Sequence, residues 1–85
     1  MDRVTLMKDH LSQASRHVSE GLTHVARQQV LITALERRGN TATAEAAKKL
    51  LLQFEDVLAL HVSERNRLET ELAALEAQGN EVRYE

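Results

Sequence analysis

At 85 residues the chain has room for one domain, near the lower limit at which a polypeptide buries enough surface to fold alone. Its 11 basic and 13 acidic residues are interspersed for a net charge of −2, so no basic face of the kind that binds nucleic acid is evident. There is no cysteine, which excludes disulfides and thiolate metal centres, and no proline, which suits long helices.

Phe54 and Tyr84 supply the aromatic content, so a core must come from Leu, Val, Ile and Ala. The longest aliphatic run, Leu50-Leu51-Leu52, is far short of the ~20 residues of a membrane span. The start, Met1-Asp2-Arg3-Val4, lacks the apolar centre of a signal peptide. The expectation is a cytoplasmic protein with no membrane association.

The first helix is expected over about residues 3–38. Asp2 or Thr5 can accept hydrogen bonds from the free amides of its first turn. Every seventh residue from Val4 gives Val4, Leu11, Val18, Val25 and Ile32; three residues on, the row is Met7, Ala14, Gly21, Gln28 and Leu35. Apolar positions alternating at steps of three and four make a helix with a narrow greasy seam, as in a coiled coil. Arg37-Arg38-Gly39 should end it, since cations suit the negative end of the helix dipole and glycine tolerates the left-handed terminating conformation.

A turn at 39–41 leads to a second helix over about 42–78, with Asn40 and Thr41 as N-caps. So short a connection forces the helices to lie antiparallel, each about 35 residues, or roughly 50 Å, long. The second seam has rows Ala44, Leu51, Leu58, Arg65, Leu72 and Ala47, Phe54, His61, Leu68, Leu75. Gln78-Gly79-Asn80 reads as a stop, with a loose tail over 79–85. Glu45 and Lys49 are spaced for a surface pair.

The fold class is therefore all-α, a two-helix antiparallel hairpin. Apolar residues remain outside its one interface: Leu22 and Leu31 on the first helix, and Leu50, Leu52, Val57 and Leu60 on the second. At ~25 cal/mol per Å², hiding a few hundred Å² of such surface contributes several kcal/mol. That is comparable with the whole stability of a small domain, about 5–15 kcal/mol. A homodimer forming an antiparallel four-helix bundle is expected, the alternative being a different cytoplasmic protein on the same surface. Small Ala14 and Gly21 in the seam point to close packing, with Leu58 and His61 filling the space beside Gly21.

His10, His17 and His24 follow at steps of seven along one edge of the first seam, and Leu31 continues the row. His-Val-Ser-Glu occurs twice, at 17–20 and 61–64. In a hairpin turning near residue 39 or 40, facing residues sum to about 79, which sets the two copies opposite each other. His17, His61, Glu20 and Glu64 are thus candidate ligands for a transition metal. Antiparallel packing, however, sends the two carboxylates to opposite sides of the histidine pair. The alternatives are a pH-sensitive histidine pair and plain structural histidines. No cofactor-binding pattern and no catalytic signature is present: Ser12, Ser15, Ser19 and Ser63 have no strand–turn–helix elbow, and no glycine-rich loop could cradle a phosphate.

Arg16-His17-Val18-Ser19-Glu20-Gly21, His24-Val25-Ala26-Arg27-Gln28-Gln29, Leu50-Leu51, Phe54-Glu55 and Leu60-His61 resemble a group of short uncharacterised proteins common in alphaproteobacteria. The resemblance spans roughly residues 9–75. It implies a bacterial origin and brings no activity with it. Gly39-Asn40-Thr41 stands where many of that group have a longer polar turn. Two functional expectations follow: a non-enzymatic, dimeric interaction module serving signalling or stress response, or a metal- or pH-responsive bundle built on the paired motifs.

Overall fold

In the computed structural model, which describes residues 2–83, the chain doubles back once and, among those residues, contains no strand. Helix α1 (Arg3–Arg37) and helix α2 (Thr41–Arg83) pack side by side in a rod of 70 × 16 × 16 Å. Asp2 starts α1: its backbone is extended and its Oδ1 accepts the Thr5 amide at 2.7 Å. That hydrogen bond, the largest influence, holds the Asp2 carboxyl below its ordinary 3.8. A lowered folded-state value means the contribution is full above the ordinary value and is lost as pH falls from there through the lowered one. Protection of the first-turn amides of α1, taken relative to their intrinsic exchange at the same pH, should therefore fall in strong acid, and Asp2→Ala should show that loss already at neutral pH.

At the other end of α1, the Arg38 amide donates to the Ala34 carbonyl at 3.2 Å and the Asn40 amide to that of Leu35 at 3.0 Å. Gly39 carries φ +77°, the left-handed conformation open to glycine at little cost. The Ala44 amide then donates to the Asn40 carbonyl at 2.9 Å, so α2 begins at Thr41, within a residue of the expected start.

The far end of α2 differs from expectation. The helix runs through Gly79 to Arg83 instead of stopping near 78. Ending a helix on glycine takes a left-handed residue, and among the described glycines that conformation belongs to Gly39 and not Gly79. A glycine that keeps helical angles costs about 1 kcal/mol relative to alanine without breaking the helix. Of the expected loose tail, 79–83 is helical and Tyr84 and Glu85 lie outside the described residues. Lys49 is not the partner of Glu45 either. Lys48 sits between Glu45 and Glu36 of the other helix, 3.2 Å from each.

The two seams are where periodicity placed them. All ten residues of the α1 rows and all ten of the α2 rows are buried or half-buried. Ala14, Val18, Ile32, Ala44, Ala47 and Leu68 are the most deeply covered apolar residues. Gln28 is the buried polar exception; its Nε2 donates to the Ala47 carbonyl at 2.9 Å.

Gly21 is a point of close approach. A Cβ there would stand 3.0 Å from Leu58 Cδ1, the free end of a half-buried side chain. Alanine in place of an interior helical glycine gains about 1 kcal/mol, and displacing a flexible methyl by a few tenths of an ångström returns part of that. Gly21→Ala should thus raise the melting temperature by a few degrees at most. A lowered melting temperature would show that Leu58 cannot yield.

Candidate functional site

Seven-residue steps give the hairpin two edges, one on each side of the seam. One carries Leu22 and Glu36 of α1 with Lys48, Glu55, Val62 and Glu69 of α2, and the Glu36–Lys48 ion pair closes it. The other carries His10, His17, His24 and Leu31 of α1 beside Leu50, Val57, Glu64 and Glu71 of α2. This second edge concentrates the candidate chemistry.

Its centre is the pair of His-Val-Ser-Glu motifs. The rings of His17 and His61 approach to 5.0 Å between centroids, tilted by 45°. One level nearer the turn, His24 stacks on Phe54 with centroids 5.8 Å apart and planes 29° from parallel. Both contacts obey one rule, since 17 and 61, like 24 and 54, sum to 78. Between the two ring pairs Gly21 leaves a cleft of about 310 Å³, walled by His17, Glu20, His24, Phe54, Val57 and His61.

Glu20 and Glu64 part company, as antiparallel packing requires. Glu20 lines that cleft, whereas Glu64 lies on the other side of His17, beside His10. Arg67 grips Glu64 with two nitrogens, one of them at 3.2 Å, and reaches Glu71 with a third. Hydrogen bonding from Arg67 holds the Glu64 carboxyl below its ordinary value, and the charges of Arg67 and His10 act in the same sense. An acid so engaged is a poor spare ligand. Of the four residues expected to bind metal, the structure brings His17, His61 and Glu20 to one cleft and sets Glu64 apart. Among the described residues, no group of three or more His, Asp or Glu side chains is gathered closely enough to hold a metal ion.

The six apolar residues expected at an interface are all exposed in the single chain: Leu22, Leu31, Leu50, Leu52, Val57 and Leu60, from 41% for Leu50 to 70% for Leu60. They do not form one surface. Leu31, Leu50 and Val57 lie on the histidine edge with Leu60 on its shoulder, Leu22 is on the opposite edge, and Leu52 points away from α1. The stacking of Phe54 on His24 was not expected, although the sum rule that pairs 17 with 61 also pairs 24 with 54. Nor was the role of Gln28, whose signal was a polar residue interrupting a seam row.

No helix among the described residues is long and apolar enough to cross a membrane. Fold and edge together define an all-α antiparallel helical hairpin with a histidine-lined flank. No protein-family model, curated protein or solved structure matches the chain.

Proposed function

We propose that this chain is a helical protein–protein interaction module that acts as a homodimer, by binding and not by catalysis. One observation carries the reading: in a hairpin with a single interface, eight large apolar side chains are left 41–71% exposed. No large side chain among the described residues is fully buried. A second layer of helices would supply the missing interior, and burying apolar surface at ~25 cal/mol per Å² drives its acquisition. The setting on this reading is the bacterial cytoplasm, in keeping with the cysteine-free composition and with the resemblance noted above. A role in signalling or stress response fits a small adaptor of this kind. Light scattering on the eluting protein tests the dimer: twice the 9.6 kDa of one chain is expected, and a 9.6 kDa species overturns it.

A metal- or proton-responsive bundle is the second reading, favoured by the 5.0 Å approach of His17 and His61 beside Glu20. It requires Glu20 or His24 to swing toward the ring pair. Elemental analysis of purified protein, with melting in chelator, decides the metal version. A stoichiometric transition metal supports it; absence of metal together with unchanged melting removes it.

A further inference from the structure

We infer that the second copy docks on the histidine edge, with the two-fold axis parallel to the helices, so that α1 of each copy lies against α2 of the other and both turns sit at the same end. This rests on the dimeric reading above and adds the surface and its geometry.

The two edges are not equivalent. The edge bearing Leu22 carries Glu36, Lys48, Glu55 and Glu69, with Lys48 already shared between two carboxylates, so covering it means stripping water from several charges. The histidine edge confines its charges, the Glu64–Arg67–Glu71 cluster, to the end toward the termini and is apolar toward the turn, where Leu31, Leu50, Val57 and Leu60 are all at least 41% exposed. Its cleft at Gly21 offers a recess to a side chain from outside.

The sequence of groups along this edge selects the axis. Facing levels sum to about 80, between the 75 of the Gln28–Ala47 contact and the 84 of Glu36–Lys48. With the axis along the helices, Leu31 meets the partner's Leu50, while His17 and His10 come level with the partner's Glu64 and the partner's Glu71, whose carboxylates Arg67 of their own helix already holds. Apolar end meets apolar end, and polar end meets polar end. With the axis across the helices, α1 would lie on α1. The histidine row would then run past a second histidine row, and the apolar end of each copy would face the polar end of the other. Apolar matching, with polar groups set against polar groups, favours the first arrangement.

Three measurements test it. The mass of the wild type by light scattering comes first: a monomer overturns the dimeric reading and this inference with it. Given a dimer, Val57→Glu should weaken association about tenfold or more, because it places a carboxylate in the apolar half of the contact. Leu22→Glu on the other edge should leave association unchanged. Val57 is half exposed, so the variant should keep the helical circular dichroism of the wild type. A nitroxide on a cysteine replacing Thr41 then reports the axis without altering the interface. Turns at one end bring the two labels within about 30 Å, given helices packed 8–10 Å apart. Turns at opposite ends hold them on the order of 50 Å apart, the length of α1 at ~1.5 Å per residue. A dimer that tolerates Val57→Glu but not Leu22→Glu, or one with the long label distance, overturns the inference and leaves the dimer standing.

Discussion

Leu68→Ala should lower stability by about 2–4 kcal/mol and the melting temperature by 10 °C or more, measured at fixed protein concentration. Leu68 retains 5% exposure, the lowest of any leucine described, and lies in the second seam row of α2, between His61 and Leu75. It belongs to the stretch where the hairpin is held by the first turns of α1, well away from the covalent turn. Removing three buried carbons there forfeits their transfer energy, and the backbones of two rods cannot close fully on the gap. For a chain of 85 residues, at the weak end of the usual 5–15 kcal/mol, that is a large part of the whole. The matching control is Leu52→Ala. Leu52 is 63% exposed on the back of α2, and its loss should stay within about 0.5 kcal/mol. Equal losses at the two sites would mean that α2 is covered on its outer side as deeply as along its seam.

The contrast between Leu68 and Leu52 shows what could be read from residue order. Every residue in the rows at steps of seven is buried or half-buried, because a helix in contact with one neighbour must repeat its buried positions close to that period. The turn was legible for a separate reason: Gly39 follows two arginines and precedes two capping residues, and nothing contradicts those signals. Gly79 carried a similar signal without effect. Whether a glycine ends a helix depends on the angles it adopts, and composition does not set them. The pairing of His17 with His61 followed from counting back from the turn. The capture of Glu64 by Arg67 did not, because both lie on one helix three residues apart and compete with cross-helix partners whose reach the spacing leaves open. Glu45 meets Lys48 and not Lys49 for the same reason. Intrahelical spacing admitted both, and Glu36 on the other helix decided between them.

Gln28 makes the opposite prediction to Leu68, and the reason lies in which groups its removal would strand. Its amide is buried and donates to the Ala47 carbonyl across the seam. Ala47 lies inside α2, where its carbonyl also serves the helix's own i to i+4 pattern, so that oxygen keeps a partner when the side chain goes. Gln28→Leu therefore removes both a buried polar group and the need to satisfy it, at similar volume. Such a replacement should be neutral or stabilising, within about 1 kcal/mol of the wild type, since a net hydrogen bond is worth only about 0.5–1.5 kcal/mol. Gln28→Ala loses the hydrogen bond and opens a gap, and should cost about 2 kcal/mol or more. In coiled coils a lone polar seam residue commonly fixes register. Here a turn of three residues between Arg37 and Thr41 already sets which levels face each other, and the His17–His61 and His24–Phe54 contacts should survive in Gln28→Leu. Paired melts of the two variants, with ring contacts followed by nuclear Overhauser effects, check this. A loss above about 2 kcal/mol in Gln28→Leu, or disappearance of the His24–Phe54 contact, would assign Gln28 a register-setting role that the turn alone does not fill.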